Sequence, residues 1–223
     1  MAEKVDYCTW MEKIAAIQGA YPSHPNQKQY DETLAQNYVW PWMCLEQVSP
    51  GRASLYDVGC AYGSMSIGAH LLGYEVAAFD ITGTYVSREA LSACGIPFKI
   101  WDVAKPLQAP QADVVLFTEV LEHLDINPEG PLRNIWNILK PGGLLVLSTP
   151  RFEDDRNHTG FEVREHYSLL PKERDGKPED RHHHLYSEAQ LRELLDSTGF
   201  AVGSKRLLWD GIGIGLTAWK VRR

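Results

Sequence analysis

No apolar run in this 223-residue chain is long enough to cross a bilayer, and its opening, "MAEKVDYCTW", lacks the apolar stretch of a secretory leader. The expectation is a soluble cytoplasmic protein with no membrane partner. Cysteine is scarce. Cys8, Cys44, Cys60 and Cys94 are scattered with no CxxC pair, which argues against a disulfide framework or a thiolate zinc cage and for reduced thiols. Positive charge is in deficit: 22 lysines and arginines face 29 aspartates and glutamates, a formal net charge of -7. Such a chain has no general attraction for a phosphate backbone or an anionic membrane surface. Its basic residues gather only in short clusters such as "KERDGK", so nucleic acid is disfavoured as a partner. No repeat or low-complexity tract interrupts the chain, and its length suits one domain with a single core.

From about residue 54, short apolar runs alternate with longer amphipathic ones. "SLYDV", "EVAAF", "FKIW", "ADVVLF" and "LLVLS" read as buried strands. Helix-length segments separate them, which implies βαβ units and a doubly wound α/β domain with a mostly parallel sheet. The first 50 residues differ. Tyr7, Trp10, Tyr21, Tyr30, Tyr38, Trp40 and Trp42 crowd there among Pro22, Pro25 and Pro41, and helices over the sheet edge are expected. The polar stretch from Arg151 to His184 is too long for a plain connection and is expected to be a functional loop. Next, "SEAQLRELLDSTGF" opens on a serine cap at Ser187, sets Leu191, Leu194 and Leu195 on one face and stops at Gly199, which predicts a late helix.

"LYDVGCAYGSMS" places Asp57, Gly59 and Gly63 across a strand-to-helix turn, where glycines let backbone approach a ligand closely. The dinucleotide fingerprint G-x-G-x-x-G is missing, because Ala61 and Ser64 stand where its second and third glycines belong. The second strand, "EVAAFD", ends in Asp80, a carboxylate suited to a ribose diol. The third, "FKIWD", ends in Asp102, which can accept from an adenine amino group.

With these pieces in this order, residues 50 to 220 resemble the class I S-adenosylmethionine-dependent methyltransferases. "DVGCAYG" looks like that family's first motif, "FD" at 79–80 its ribose-binding acid, "WDV" at 101–103 its adenine contact, and "LKPGGLLVLSTP" its turn before strand five. The resemblance implies S-adenosylmethionine as cofactor. It would be bound by Asp57, Gly59, Ala61, Gly63, Asp80, Ile81, Asp102 and Val103, with the methionine end over the glycine turn.

"TEVLEHL", directly after "ADVVLF", packs Glu119, Glu122 and His123 into five positions where a buried strand should end. A helix from about Thr118 would bring all three to one spot by i,i+3 and i,i+4 spacing. Oxygen and imidazole donors converging there can hold a divalent cation such as Mg²⁺ or Mn²⁺. The E-x-x-E-H pattern resembles that of ubiquinone-pathway O-methyltransferases and of small-RNA 3′-terminal ribose 2′-O-methyltransferases. In those groups the glutamates and histidine bind metal, and the RNA enzymes add a loop histidine. "RHHHLYSEAQL" offers His182, His183 or His184 for that role, with His182 preferred from its distance to the serine cap. The same pattern occurs in metal-independent relatives, where these residues hydrogen-bond or act as base. The catalytic candidates are therefore His123, Glu119 and His158, and the metal candidates Glu119, Glu122, His123 and His182.

The combined expectation is a seven-stranded Rossmann-like methyltransferase fold. A helical cap at 1–50 precedes a cofactor-binding domain at 51–223 that carries the 151–184 loop. The expected activity is O-methylation of a small polar metabolite or sugar. The alternatives are an RNA ribose 2′-O-methyltransferase, a metal-independent N-methyltransferase and a non-catalytic S-adenosylmethionine-binding module. Oligomeric state is left open.

Overall fold

In the computed structural model the apolar runs pair into one mostly parallel sheet; the residues described are 6–22, 24–27, 40–45, 47–48, 51–151, 184–208, 211 and 213–221. The strands are β1 (Ser54–Val58), β2 (Glu75–Asp80), β3 (Phe98–Ile100), β4 (Ala112–Thr118), β5 (Leu139–Pro150), β6 (Phe200–Leu208) and β7 (Gly213–Lys220). Their order in the seven-stranded sheet is β3-β2-β1-β4-β5-β7-β6, as the doubly wound reading requires. The chain divides into two compact units, residues 1–102 with 112–116 and residues 103–111 with 117–223.

In the first unit β1 runs parallel to both β2 and β4, with Leu55 opposite Val76 on one side and Val114 on the other. Leu55 to Val58 are buried without a polar alternation, the pattern of a strand covered on both faces. Helices α1 (Tyr7–Gly19), α2 (Ser64–Leu71) and α3 (Arg88–Ala93) belong to the same unit. The aromatic N-terminal segment supplies core. Trp42, in a helical stretch at 40–45, has no exposed surface. Its ring fills the notch left by Gly68 of α2, so that a Cβ there would fall 2.4 Å from the indole. Gly68→Ala is therefore expected to cost about 1–3 kcal/mol through overpacking against a ring that cannot retreat. Urea unfolding checks this, and an unchanged midpoint would refute the contact.

In the second unit β7 pairs antiparallel with β5 and with β6, Leu144 opposite Trp219 and Phe200 opposite Lys220. Helices α4 (Glu129–Ile138) and α5 (Glu188–Ser197) belong here. The sequence-predicted late helix begins where expected. Ser187 accepts from Gln190 N while Gln190 Oε1 accepts from Ser187 N, a reciprocal capping box. It ends at Gly199, whose φ of 95° only glycine adopts without strain. At the end of α4, Lys220 Nζ donates to the Trp136 and Leu139 carbonyls at 2.8 and 2.7 Å, placing a cation on the negative helix terminus. Outermost strand β6 is exposed from Gly203 to Leu207 and slips register between Val202 and Lys205, features that discourage edge pairing.

Candidate functional site

The turn after β1 is bent by left-handed backbone at Gly59 (φ 80°), Ala61 (φ 44°) and Gly63 (φ 84°). Gly59 N and Cys60 N both donate to the Phe79 carbonyl, at 2.8 and 3.0 Å, folding the turn back over the end of β2. Asp80, at that end, accepts from Ala61 N on Oδ2 at 2.9 Å and from Thr82 N on Oδ1 at 3.0 Å. The residue assigned to a ribose diol thus also holds the glycine turn in shape, a role that spacing along the chain does not reveal. Each carboxylate oxygen keeps a second lone pair for a ligand hydroxyl. Burial raises the Asp80 pKa, and the backbone donors oppose the shift.

Asp57 lies deeper than the sequence suggested. It is buried, accepts from Ser66 Oγ of α2 at 2.6 Å, and is pushed up to about 7 by burial. Trp101 N donates to the Asp80 carbonyl at 2.8 Å and its ring meets Phe79 edge-on, fixing the chain just before half-buried Asp102. Ile81 is 63% exposed, free to lie against a ligand. Gln18 of α1 went unnoticed in the sequence. Its Nε2 donates to Ser64 Oγ at 2.9 Å and to the Tyr62 carbonyl at 3.4 Å, tying the N-terminal helix to the glycine turn. A glutamine among the apolar residues of "KIAAIQG" was the available signal. Val103 belongs to the second unit, where its carbonyl accepts from Asn134 Nδ2.

In the second unit the chain does not turn α-helical at Thr118. Glu119 takes a left-handed φ of 56°, and a single 3₁₀ turn, Leu121–His123, follows. Glu119 N donates to the Ser148 carbonyl and Ser148 Oγ returns to Glu119 Oε1 at 2.5 Å. Thr149 Oγ1 donates to Glu122 Oε2 at 3.0 Å. The side chains of Glu119 and Glu122 meet in a hydrogen bond. Burial raises both, and the Glu119 charge drives Glu122 higher still. His123 Nε2 stands 3.8 Å from Glu122 Oε1. Of the histidine triplet, His184 is described: it is buried, and its N donates to the Glu122 carbonyl at 3.2 Å. His158 and His182 lie outside the described residues.

The two glutamates meet without the predicted helix, and each is served by a hydroxyl donor from β5. Among the described residues no three His, Cys, Asp or Glu side chains are grouped to hold a metal ion. Among the described residues, the donors do not compose the expected Mg²⁺ or Mn²⁺ site. Turnover is expected to survive exhaustive chelation. Loss of turnover together with stoichiometric metal recovered from the protein would reinstate Glu119, Glu122, His123 and His182 as ligands.

With this geometry in view, residues 27–205 match the family model described as methyltransferase domain. The chain belongs to the methyltransferase domain family. A ubiquinone biosynthesis O-methyltransferase from Xanthomonas axonopodis pv. citri is 34% identical over 46% of this chain and 45% of its own length. A tRNA 5-carboxymethoxyuridine methyltransferase from Escherichia coli K12 is 30% identical over 51% of this chain and 47% of its own length. The chain thus spans about half the length of the curated relatives it matches. In fold, this methyltransferase domain is similar to the magnesium protoporphyrin IX methyltransferase of Synechocystis PCC 6803, solved with bound S-adenosylhomocysteine. The TM-score is 0.62 at 19% identity, covering 96% of this chain and 94% of that one.

Proposed function

We propose that this protein is an S-adenosylmethionine-dependent methyltransferase acting on a hydroxyl of a small polar metabolite or sugar. The observation that carries the reading is the glycine turn pinned by Asp80: a left-handed backbone able to lie close against a ligand, beside a carboxylate with lone pairs to spare. In this reading Asp80 accepts from the ribose hydroxyls and Asp102 from the adenine amino group. Ile81 lies against the base, and Asp57, Gly59, Ala61 and Gly63 shape the methionine end. Bound S-adenosylmethionine supplies an electrophilic methyl group. The chain's own contribution is to align an acceptor oxygen behind that carbon, which can account for most of the rate.

Glu119 then takes the acceptor proton. In this reading Glu122, whose pKa burial and the Glu119 charge raise well above the ordinary value, keeps its own proton, and Ser148 Oγ holds the Glu119 carboxylate in place. His123 and His158 are the further proton acceptors this reading names. The test is calorimetry with S-adenosylhomocysteine, for which Asp80→Ala should weaken binding by about 1–3 kcal/mol, the loss of hydrogen bonds to a charged acceptor. Unchanged affinity would sink the ribose assignment.

A second reading, RNA as acceptor, is favoured by the relative that acts on a tRNA nucleoside. The formal charge of -7 opposes it. Binding to an RNA oligomer that weakens steeply with added salt would support it.

A further inference from the structure

The carbonyl end of β5 carries two polar groups that neither the cofactor nor the glutamate pair uses. Arg151, the residue after β5, forms an isolated parallel bridge with Tyr186, just before α5. Paired positions on neighbouring strands send their side chains to the same face, which places Arg151 and Tyr186 on one face of the bridge. Arg151 Nε and Tyr186 Oη are both shut off from solvent, and neither has a hydrogen-bond partner among the described residues. Tyr186 as a whole is only 4% exposed. A buried phenol and a buried guanidinium N–H without acceptors cost free energy that a folded protein ordinarily avoids. Here both missing partners are of one kind: each donor lacks an acceptor, and one donor is a permanent cation.

We infer that Arg151 and Tyr186 form a subsite for an oxyanion on the methyl acceptor, a carboxylate or a phosphate ester. The inference rests on the methyltransferase reading above and narrows its acceptor to an anionic one. A guanidinium edge and a phenolic O–H match the geometry by which a carboxylate or phosphate is held with two charge-assisted bonds. Burial, with Glu122 nearby, raises the Tyr186 pKa and keeps the phenol a donor. A bound anion near that carboxyl pair depends on Arg151 for charge balance, which makes the arginine the stronger determinant of the two.

The test is calorimetric titration of the full chain with benzoate, phenyl phosphate and the neutral isostere benzamide, with and without S-adenosylhomocysteine. One of the two anions is expected to bind about tenfold or more tightly than benzamide, in line with the strength of charge-assisted bonds. Benzoate ahead of phenyl phosphate identifies a carboxylate acceptor, and the reverse order a phosphate ester. Arg151→Gln should abolish the preference, Arg151→Lys should restore part of it, and Tyr186→Phe should weaken the anion several-fold while leaving benzamide unchanged. Because the Tyr186 hydroxyl makes no bond in the free protein, Tyr186→Phe should unfold at the same temperature as the parent or higher. A marked drop would show a structural role and overturn the assignment. So would equal binding of all three probes, failure of both anions to bind, or an Arg151→Gln loss as large for benzamide as for the anions. Failure of S-adenosylhomocysteine to bind the parent protein would instead strike at the methyltransferase reading, because the anion titrations without it are scored on their own.

Discussion

Glu119→Gln is expected to lower turnover by about a hundredfold or more, the contribution typical of a positioned proton acceptor. Affinity for S-adenosylhomocysteine should stay within about twofold, because that ligand is assigned to the residues around Asp80. The amide preserves size and can still accept from Ser148 Oγ, which holds the native side chain at 2.5 Å, but it cannot take up a proton. Glu122→Gln is the informative companion. Glu122 is buried, has its pKa raised by burial and by the Glu119 charge, and accepts from Thr149 Oγ1, so a neutral amide is better tolerated there and the loss should be much smaller. Steady-state kinetics on both variants, with an acceptor found by screening, decides the matter. Equal losses at the two positions, or near-parental turnover in Glu119→Gln, would remove Glu119 from the role of base.

The second large effect is on stability. An unfolded aspartate titrates near 3.8, whereas Asp57 in the folded protein is pushed to about 7 by burial, against a smaller opposing pull from its Ser66 hydrogen bond. Across that window the folded chain holds a proton the unfolded chain has released. The stability associated with the neutral form is therefore complete below about pH 3.8 and lost as pH rises through about 7. At about 1.4 kcal/mol per pKa unit, the decline is on the order of 4 kcal/mol. Asp80, Glu119 and Glu122 are displaced in the same direction by burial, so the protein as a whole should weaken from mildly acidic to mildly alkaline conditions. Asp57→Asn keeps an acceptor for Ser66 and removes the charge, so urea unfolding between pH 5 and 8 should show a shallower slope and a variant stronger than its parent at the alkaline end. Superimposable pH profiles would mean that Asp57 is ionised at little cost in the native fold.

Much of this protein was written locally. Strands covered on both faces need unbroken apolar runs, so β1, β2 and β4 announce themselves by composition. The serine cap and terminal glycine of α5 act within one helical turn and are legible at that range. Asp80 could be placed because its position at the end of β2 follows from the strand itself, whereas β3 stops at Ile100, two residues short of Asp102. What tertiary structure decided involves partners far apart in sequence. Asp80 braces the turn at Ala61, Trp42 fills the notch at Gly68, and Ser148 and Thr149 of β5 supply the hydroxyls that hold Glu119 and Glu122. The pairing of those two glutamates was anticipated from helical spacing, yet the chain reaches it through a left-handed Glu119 and a 3₁₀ turn. Periodicity registers which residues share a face within a turn or two; it carries no record of a hydrogen bond offered by a neighbouring strand. For the same reason Arg151 and Tyr186, separated in sequence by the long polar loop, are unremarkable as letters and become a pair only when β5 and the start of α5 bring them together.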